Sequence, residues 1–152
     1  MSKGTLIGID LGGTNVRVAT VLDNKIETMI SEPVSGADNA ELLINQIKSM
    51  ISTLWDANIE GIGIGVPSVV DVEKGIVYDV QNIPSWKEVP LKQILENEFG
   101  KPVFINNDAN CFALSESVLG SAKGYDVVFG VIMGTGVGGG IVINETLHKG
   151  RT

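Results

Sequence analysis

The 152-residue sequence contains one cysteine, one histidine, few aromatic residues and no long apolar run. The single cysteine, Cys111, forms neither an internal disulfide nor a multi-thiolate zinc site. With His148 as the only histidine, we expect neither a histidine-based metal cluster nor a Ser-His-Asp triad. No apolar stretch approaches the roughly 18 residues of a transmembrane helix, and no signal-peptide-like region is visible near Met1. We therefore expect a cytoplasmic protein without a membrane partner.

Positive charge is also scarce, because 11 Lys and Arg residues stand against 18 Asp and Glu residues, a formal net charge of −7. No basic run or stripe typical of nucleic-acid-binding proteins occurs, so we expect no nucleic-acid partner. Hydrophobic residues make up 43% of the chain and charged residues 19%. This balance excludes intrinsic disorder, and the length suffices for one domain with a sizeable core.

Glycine is abundant, with 19 residues, and it is clustered. The clusters are Gly12-Gly13, then Gly61, Gly63 and Gly65, and finally five glycines between Gly134 and Gly140. Glycine is used where the backbone turns with positive φ or approaches a ligand closely. Three such places in one chain predict a ligand cradle.

The hydrophobic periodicity predicts an α/β fold with a mixed sheet. Three antiparallel strands open the chain, followed by a helix, a glycine-rich strand, a second helix, a strand, a third helix and a hairpin. The predicted strands span residues 5–10, 15–22, 25–34, 59–66, 102–105, 126–133 and 141–143, and the predicted helices span 39–56, 90–100 and 108–120. Asp38 and Asp108 are the predicted N-caps of the first and third helices.

An internal repeat links the two ends of the chain. Residues 6–14 align with residues 128–136 at an offset of 122 positions, so that Gly8 matches Gly130 and Gly12 matches Gly134. Each segment reads as strand, glycine turn, strand. Two interpretations stay open: unrelated glycine hairpins, or a duplicated domain whose second copy begins near Asp126.

The two glycine turns suit phosphate groups, because backbone N–H groups without side chains can surround anionic oxygens. Asp10 ends the first strand, where a carboxylate can hold Mg²⁺ directly or through water, and Thr14 adds a hydroxyl. The alternative for Gly12-Gly13 is a tight hairpin without a ligand. No P-loop motif is present, and β-like residues after Gly139 exclude a dinucleotide-binding fingerprint.

A second set of polar residues follows two other predicted strands. Asp108 stands at a strand-to-helix junction, where it is either a helix cap or a carboxylate that accepts the proton of an attacking hydroxyl. Asn107 could orient a neighbouring hydroxyl there. The loop from Asn82 to Trp86 is either a surface turn or a polyol contact, since an amide both donates and accepts hydrogen bonds.

Five motifs in order resemble the ROK family of sugar kinases and sugar-responsive repressors, which belongs to the actin-like, hexokinase-like ATPase superfamily. The matching segments are Ile9 to Asn15, Gly63 to Pro67, Asn82 to Trp86, Asn107 to Asn110 with Glu116, and Gly134 to Gly140. The resemblance covers nearly the whole chain. It implies a ribonuclease H-like mixed sheet with the element order βββαβαβα over residues 1–122. Residues 123–152 would then be the first hairpin of a second, incomplete actin-like domain.

The resemblance also implies an activity, the ATP-dependent phosphorylation of a hexose such as glucose. Asp108 would be the catalytic base. The hexose would contact Gly65, Pro67, Asn82, Asn107 and Asp108. The phosphates of ATP would bind at Asp10, Gly12, Gly13 and Thr14 and at Gly134, Thr135 and Gly136, with Asp10 at the Mg²⁺.

Departures from the family pattern qualify these expectations. Asn106 stands where many members carry Glu, and the family's zinc loop and adenosine pocket have no counterpart in these residues. We therefore expect no zinc site here, and no activity from this chain alone. Many relatives are dimers, which implies a homo-oligomer. The alternative function is a non-catalytic sugar-sensing domain of a ROK regulator, but only nine residues precede Asp10, which favours the kinases.

Overall fold

The structure, a computed structural model, describes residues 4–80, 82–134 and 136–149. The chain divides into two compact units, residues 1–105 and residues 106–152. The elements that begin in the first unit are β1 (Thr5–Leu11), β2 (Asn15–Leu22), β3 (Lys25–Pro33), α1 (Ala40–Thr53), β4 (Ile59–Val66), β5 (Val69–Asp71), β6 (Ile76–Tyr78), β7 (Glu88–Val89), α2 (Leu91–Phe99) and β8 (Val103–Asn107). Those of the second unit are α3 (Asp108–Val118), β9 (Val127–Met133), β10 (Val137–Ile143) and β11 (Thr146–Leu147).

The first unit is built on a five-stranded sheet with the order β3-β2-β1-β4-β8. β2 is antiparallel to both β1 and β3, whereas β4 runs parallel to β1. The turn between β2 and β3 places Asp23 and Asn24 at φ 48° and 62°, the left-handed conformation that Asp and Asn tolerate in tight hairpins. The predicted α/β fold with a mixed sheet is therefore confirmed.

One face of this sheet belongs to the hydrophobic core. Side chains alternate along β1, so that Ile7 is 1% exposed while Leu6 is 48% exposed. Leu43, Ile47 and Met50 of α1 recur at helical spacing and belong to the same buried cluster as Ile7. This burial is the main stabilising contribution to the unit.

The cap of α1 differs from the prediction. Asn39, and not Asp38, is the N-cap, and its side chain accepts hydrogen bonds from the backbone N–H groups of Glu41 and Leu42 at 3.0 and 3.3 Å. The reason is local: a turn in which Asn39 N–H donates to Gly36 O at 2.7 Å brings Asn39 to the start of the helix. α1 also ends at Thr53, earlier than predicted.

A small sheet of β5, β6 and β7 supports the loop that follows β6. Its first turn uses Gly75 at φ 68°, a left-handed conformation that glycine adopts readily. Trp86 N–H donates to Ile83 O at 2.9 Å, and Val80 N–H donates to Trp86 O at 3.1 Å. Ile83 and Trp86 are completely buried, so the loop is anchored by its own apolar residues.

The second unit consists of α3 and a three-stranded sheet with the order β11-β10-β9. The sheet approaches α3 closely, because a Cβ added at Gly130 would lie 2.7 Å from Ala113 Cβ, and one at Gly140 would lie 3.0 Å from Ala109 O. The strand predicted over 141–143 begins at Val137. Gly138 to Gly140 pair in register with β9 instead of forming a turn, because close packing against α3 outweighs the weak strand propensity of glycine.

The opposite face of the second unit's sheet is apolar and exposed. Alternate residues of β9, from Val127 to Met133, point away from the buried cluster of Ala113, Val128 and Val142. Phe129 is 68% exposed and Met133 is 81% exposed. Within the described residues, no helix is long and apolar enough to cross a membrane.

Candidate functional site

Asp10 lies near the end of β1, where its partner residue on β2 is Arg17. Arg17 Nη1 donates to Asp10 Oδ2 at 2.9 Å, and the two side chains are 50% and 54% exposed, respectively. On the other side of β1, Asp10 is in register with Gly65 of β4. Asp10 and Gly65, both predicted site residues, are thus neighbours. The pairing of Arg17 with Asp10 was not predicted, although opposite charges seven positions apart across a short hairpin are a detectable signal of an ion pair.

The first glycine turn connects β1 to β2. Gly12 N–H donates to Asn15 O at 2.9 Å, and Val34 N–H donates to Thr14 O at 2.8 Å. A Cβ at Gly12 would lie 3.1 Å from Asn15 O, so a larger residue would press against the bond that closes the turn. Gly12, Gly13 and Thr14 therefore form one short, bonded connection.

Asn82 and Gly13 are in contact, although they come from different predicted subsites. A Cβ added at Gly13 would lie 2.5 Å from Asn82 Nδ2 and 2.9 Å from Asn82 Cβ. Real Cβ atoms do not approach other atoms this closely, so Asn82 occupies the space that any other residue at position 13 would need. The structure brings the predicted phosphate turn and the predicted sugar loop together here.

Pro67 directly follows β4 in the first unit. Ser68, which follows it, donates its N–H to Val66 O at 2.9 Å and its hydroxyl to Tyr78 O. These bonds tie the end of β4 to β6. Gly65 and Pro67 are both half-buried on either side of the buried Val66.

Asn107 and Asp108 lie at the start of α3. Asn107 is the N-cap and accepts from the N–H groups of Ala109 and Asn110 at 3.0 and 3.3 Å. Asp108, predicted as the cap, is the first helical residue, and its Oδ1 accepts from Ala109 N–H at 2.8 Å. Because Asn107 already has the extended backbone of a cap, φ −64° and ψ 143°, it takes that role.

Asn106 also supports this junction. Its Oδ1 accepts from Asn107 N–H at 2.9 Å and from Asn110 Nδ2 at 3.0 Å. Asn106, predicted as a departure from the family pattern, thus has a local structural role at the start of α3.

The second glycine turn, between β9 and β10, is open. Gly134 N–H donates to Gly136 O at 2.9 Å, and a Cβ added at either glycine would meet nothing within 4 Å. Thr135, the third predicted residue of this turn, lies outside the described residues. The neighbouring glycines serve a different purpose, because Gly130, Gly138 and Gly140 pack against α3.

No group of three or more His, Cys, Asp or Glu side chains that could hold a metal ion occurs in the part of the chain that the structure describes. A protein cage for a metal is thus not formed by these residues. Mg²⁺ usually binds through one or two carboxylates together with substrate phosphates and waters. The half-exposed carboxylate of Asp10 fits that arrangement.

Known proteins are similar to this chain in sequence and in fold. The sequence profile of the ROK family matches residues 6–152. Glucokinase from Thermotoga maritima is 39% identical, with 99% of this chain aligned to 48% of that protein. N-acetyl-D-glucosamine kinase from Vibrio parahaemolyticus is 38% identical, with 95% of this chain and 48% of that protein covered.

A solved structure agrees with these sequence matches. The ROK family glucokinase from Streptomyces griseus, in complex with glucose and AMPPNP, superimposes with a TM-score of 0.87 at 33% identity. The match covers 97% of this chain and 47% of the other, so the chain spans about half the length of the relatives it matches. The actin-like, hexokinase-like fold predicted from the motifs is confirmed, and the chain belongs to the ROK family.

Proposed function

We propose that this chain is the N-terminal half of an ATP-dependent hexose kinase. The observation that carries the proposal is the presence of both glycine turns, in a chain whose family relatives include glucokinase and N-acetyl-D-glucosamine kinase. A protein that only senses sugar has no need of two phosphate turns. The complete kinase would be a cytoplasmic homo-oligomer, with residues 1–122 as its first domain and residues 123–152 opening its second.

The phosphates of ATP would bind at the two turns. Gly12, Gly13 and Thr14 would supply one set of N–H and hydroxyl donors, and Gly134, Thr135 and Gly136 the other. The open space around Gly134 and Gly136 supports this role, because a Cβ added at either glycine would meet no described atom within 4 Å. Asp10 would hold Mg²⁺, which when bound neutralises phosphate charge.

The hexose would contact Asn82 and Asn107, with Gly65 and Pro67 shaping the loop beside it. The oxygen of one sugar hydroxyl attacks the γ-phosphorus of ATP, the bond from that phosphorus to the bridging oxygen breaks, and ADP leaves. Asp108 accepts the hydroxyl proton. Its position supports this role, because the half-buried carboxylate stands at the start of α3, directly after Asn107.

The test uses the product of the complete open reading frame that contains this chain, assayed with ATP, Mg²⁺ and four sugars: glucose, N-acetylglucosamine, mannose and fructose. We expect one ADP for each sugar phosphate with at least one of them. Asp108→Asn should lower kcat by about 10²- to 10⁴-fold, the usual share of general base catalysis, and change the dissociation constant of the sugar little.

Asp38→Asn is the matched control, because Asp38 is exposed and caps no helix, and it should retain normal turnover. The 152-residue chain alone should be inactive. Sugar binding by the complete protein without ADP formation would contradict the kinase and favour a sugar-sensing regulator. Near-normal turnover by Asp108→Asn would contradict the assignment of the base.

A further inference from the structure

The contact between Gly13 and Asn82 leaves no room for a side chain at position 13. A Cβ at position 13 would lie within about 3 Å of three atoms of Asn82, namely Nδ2 at 2.5 Å, Cβ at 2.9 Å and Cγ at 3.0 Å. Rotation of the Asn82 side chain about its Cα–Cβ bond would relieve only the first and third of these contacts. The clash with the Asn82 Cβ would remain, because that atom moves only with the backbone.

The backbone of Asn82 is held firmly. The next residue, Ile83, is completely buried, and its N–H donates to Val80 O at 3.0 Å. Three residues further along, Ser85 donates its hydroxyl to Ala37 O at 2.7 Å, and Trp86 is also completely buried. The buried Ile83 and Trp86 thus anchor the loop directly after Asn82.

The backbone of Gly13 is held from the other side. Its neighbours Gly12 and Thr14 each take part in a backbone hydrogen bond, to Asn15 O at 2.9 Å and from Val34 N–H at 2.8 Å. The turn also continues directly into β1 and β2, which are paired in register up to Leu11 and Val16. Neither side of the contact can therefore yield without breaking bonds or burial.

We propose that Gly13 is a positioning residue for the sugar site, acting through Asn82. Its missing side chain fixes where the Asn82 amide stands, so a residue of the phosphate turn also sets the affinity for sugar. This inference rests on the proposed function, in which Asn82 contacts the hexose. It gives Gly13 a second requirement besides the close approach of its backbone to phosphate.

The test is a double-variant cycle in the complete protein. Gly13→Ala should raise the KM for the hexose about tenfold or more, since displacement of a contact by about 1 Å can cost up to 10²-fold. Asn82→Gly removes all three crowding atoms and also the amide, so it should raise the same KM. Adding Gly13→Ala to Asn82→Gly should then change the KM for the hexose by less than about twofold.

The KM for ATP separates the two requirements at position 13. If Gly13→Ala also weakens phosphate binding directly, it should raise the KM for ATP by the same factor whether residue 82 is Asn or Gly. Gly8→Ala is the control, because its Cβ would meet only Val21 Cγ2, at the ordinary distance of 3.6 Å. It should leave the KM for the hexose unchanged. Circular dichroism melts should show that all variants are folded.

Two results would overturn the inference. One is an unchanged KM for the hexose in Gly13→Ala. The other is a double variant whose KM for the hexose rises by the product of the two single-variant factors. Absence of phosphoryl transfer by the unmodified protein would contradict the proposed function instead. In that case, dissociation constants of the sugar, measured by calorimetry for the same four proteins, replace KM and test the positioning role with the same expected pattern. Absence of sugar binding would contradict both.

Discussion

The two glycine hairpins of this chain resemble each other in sequence and differ in what surrounds them. The turn after β1 is flanked by the Asp10–Arg17 ion pair and crowded by Asn82. The turn after β9 has neither charge partner nor neighbour at Gly134 and Gly136. The pairing also differs, because Leu11 faces Val16 whereas Met133 faces Val137. The second connection is therefore one residue shorter than the repeat predicts.

Glycine is needed in this chain for three separate physical reasons. Gly13 makes room for a side chain from another loop. Gly130 and Gly140 let a sheet approach a helix to within contact of its backbone. Gly134 and Gly136 lie in open space, where an added Cβ would meet nothing within 4 Å. A count of clustered glycines does not separate these reasons, and substitution experiments do.

The largest expected difference is in stability. Gly130→Ala places a Cβ 2.7 Å from Ala113 Cβ and 2.9 Å from Ala113 Cα, and overpacking of this kind costs about 1–3 kcal/mol. Gly134→Ala, in open space, should change the free energy of unfolding by less than about 0.5 kcal/mol. Circular dichroism in urea measures both variants. Equal losses of unfolding free energy in the two variants would contradict a packing role that Gly130 has and Gly134 lacks.

The next effect concerns the helix that packs with the first hairpin. Asn39→Ala removes the side-chain cap of α1 and should lower the free energy of unfolding by about 1 kcal/mol. Asp38→Ala, one residue earlier, should change it by less than about 0.5 kcal/mol. The same urea titrations measure both. The reverse order of effects would restore Asp38 as the cap.

A smaller effect is expected from the ion pair that distinguishes the first hairpin. Arg17→Met should lower the free energy of unfolding by at most about 1 kcal/mol, because both side chains are half-exposed and solvent screens the pair. High salt should remove most of the difference between the variant and the unmodified protein. Urea unfolding at low salt and at high salt tests this, and a loss that persists at high salt would contradict a screened pair.

The smallest effect concerns Glu116, at the end of the helix that packs with the second hairpin. The backbone N–H and the hydroxyl of Ser121 both donate to the Glu116 carboxylate and lower its pKa below the ordinary value. The ionised form is therefore stabilised by folding. This contribution is complete above the ordinary pKa and is lost as the pH falls through the lowered pKa.

Ser121→Ala removes the hydroxyl and keeps the backbone donor, so the pKa of Glu116 should rise part of the way towards its ordinary value. Ser115→Ala is the control, because the Ser115 hydroxyl donates to Phe112 O. Carboxyl chemical shifts of Glu116 during an acid titration give both values. An unchanged pKa in Ser121→Ala would show that the hydroxyl contributes nothing.

Local pattern was sufficient for the regular strands of the first unit. β2 and β4 have the predicted bounds, 15–22 and 59–66, because apolar and polar residues or glycines alternate there with the period of a strand. Gly100 ends α2 in the left-handed conformation at φ 62°, as the sequence predicted. These features depend on neighbours in the chain.

The remaining features depend on contacts between distant residues, which periodicity does not encode. A turn was predicted around Gly138 to Gly140, but these residues are part of β10. Their small size allows the close approach of α3. The contact between Gly13 and Asn82 required the fold. Asp10 was found because a carboxylate is costly at the end of an apolar strand, and Asp108 because it follows polar residues at a strand-to-helix junction. Arg17 was missed because its pairing with Asp10 depends on the register of the hairpin.

In the proposed kinase, both glycine turns bind phosphate and the packed glycines do not. The most direct measurement is the amide spectrum of the complete protein labelled with ¹⁵N-glycine, recorded with and without a non-hydrolysable ATP analogue and Mg²⁺. We predict shifts at Gly12 and Gly13 and at Gly134 and Gly136, with little change at Gly130. Shifts confined to one of the two turns, or absent from both, would contradict the claim.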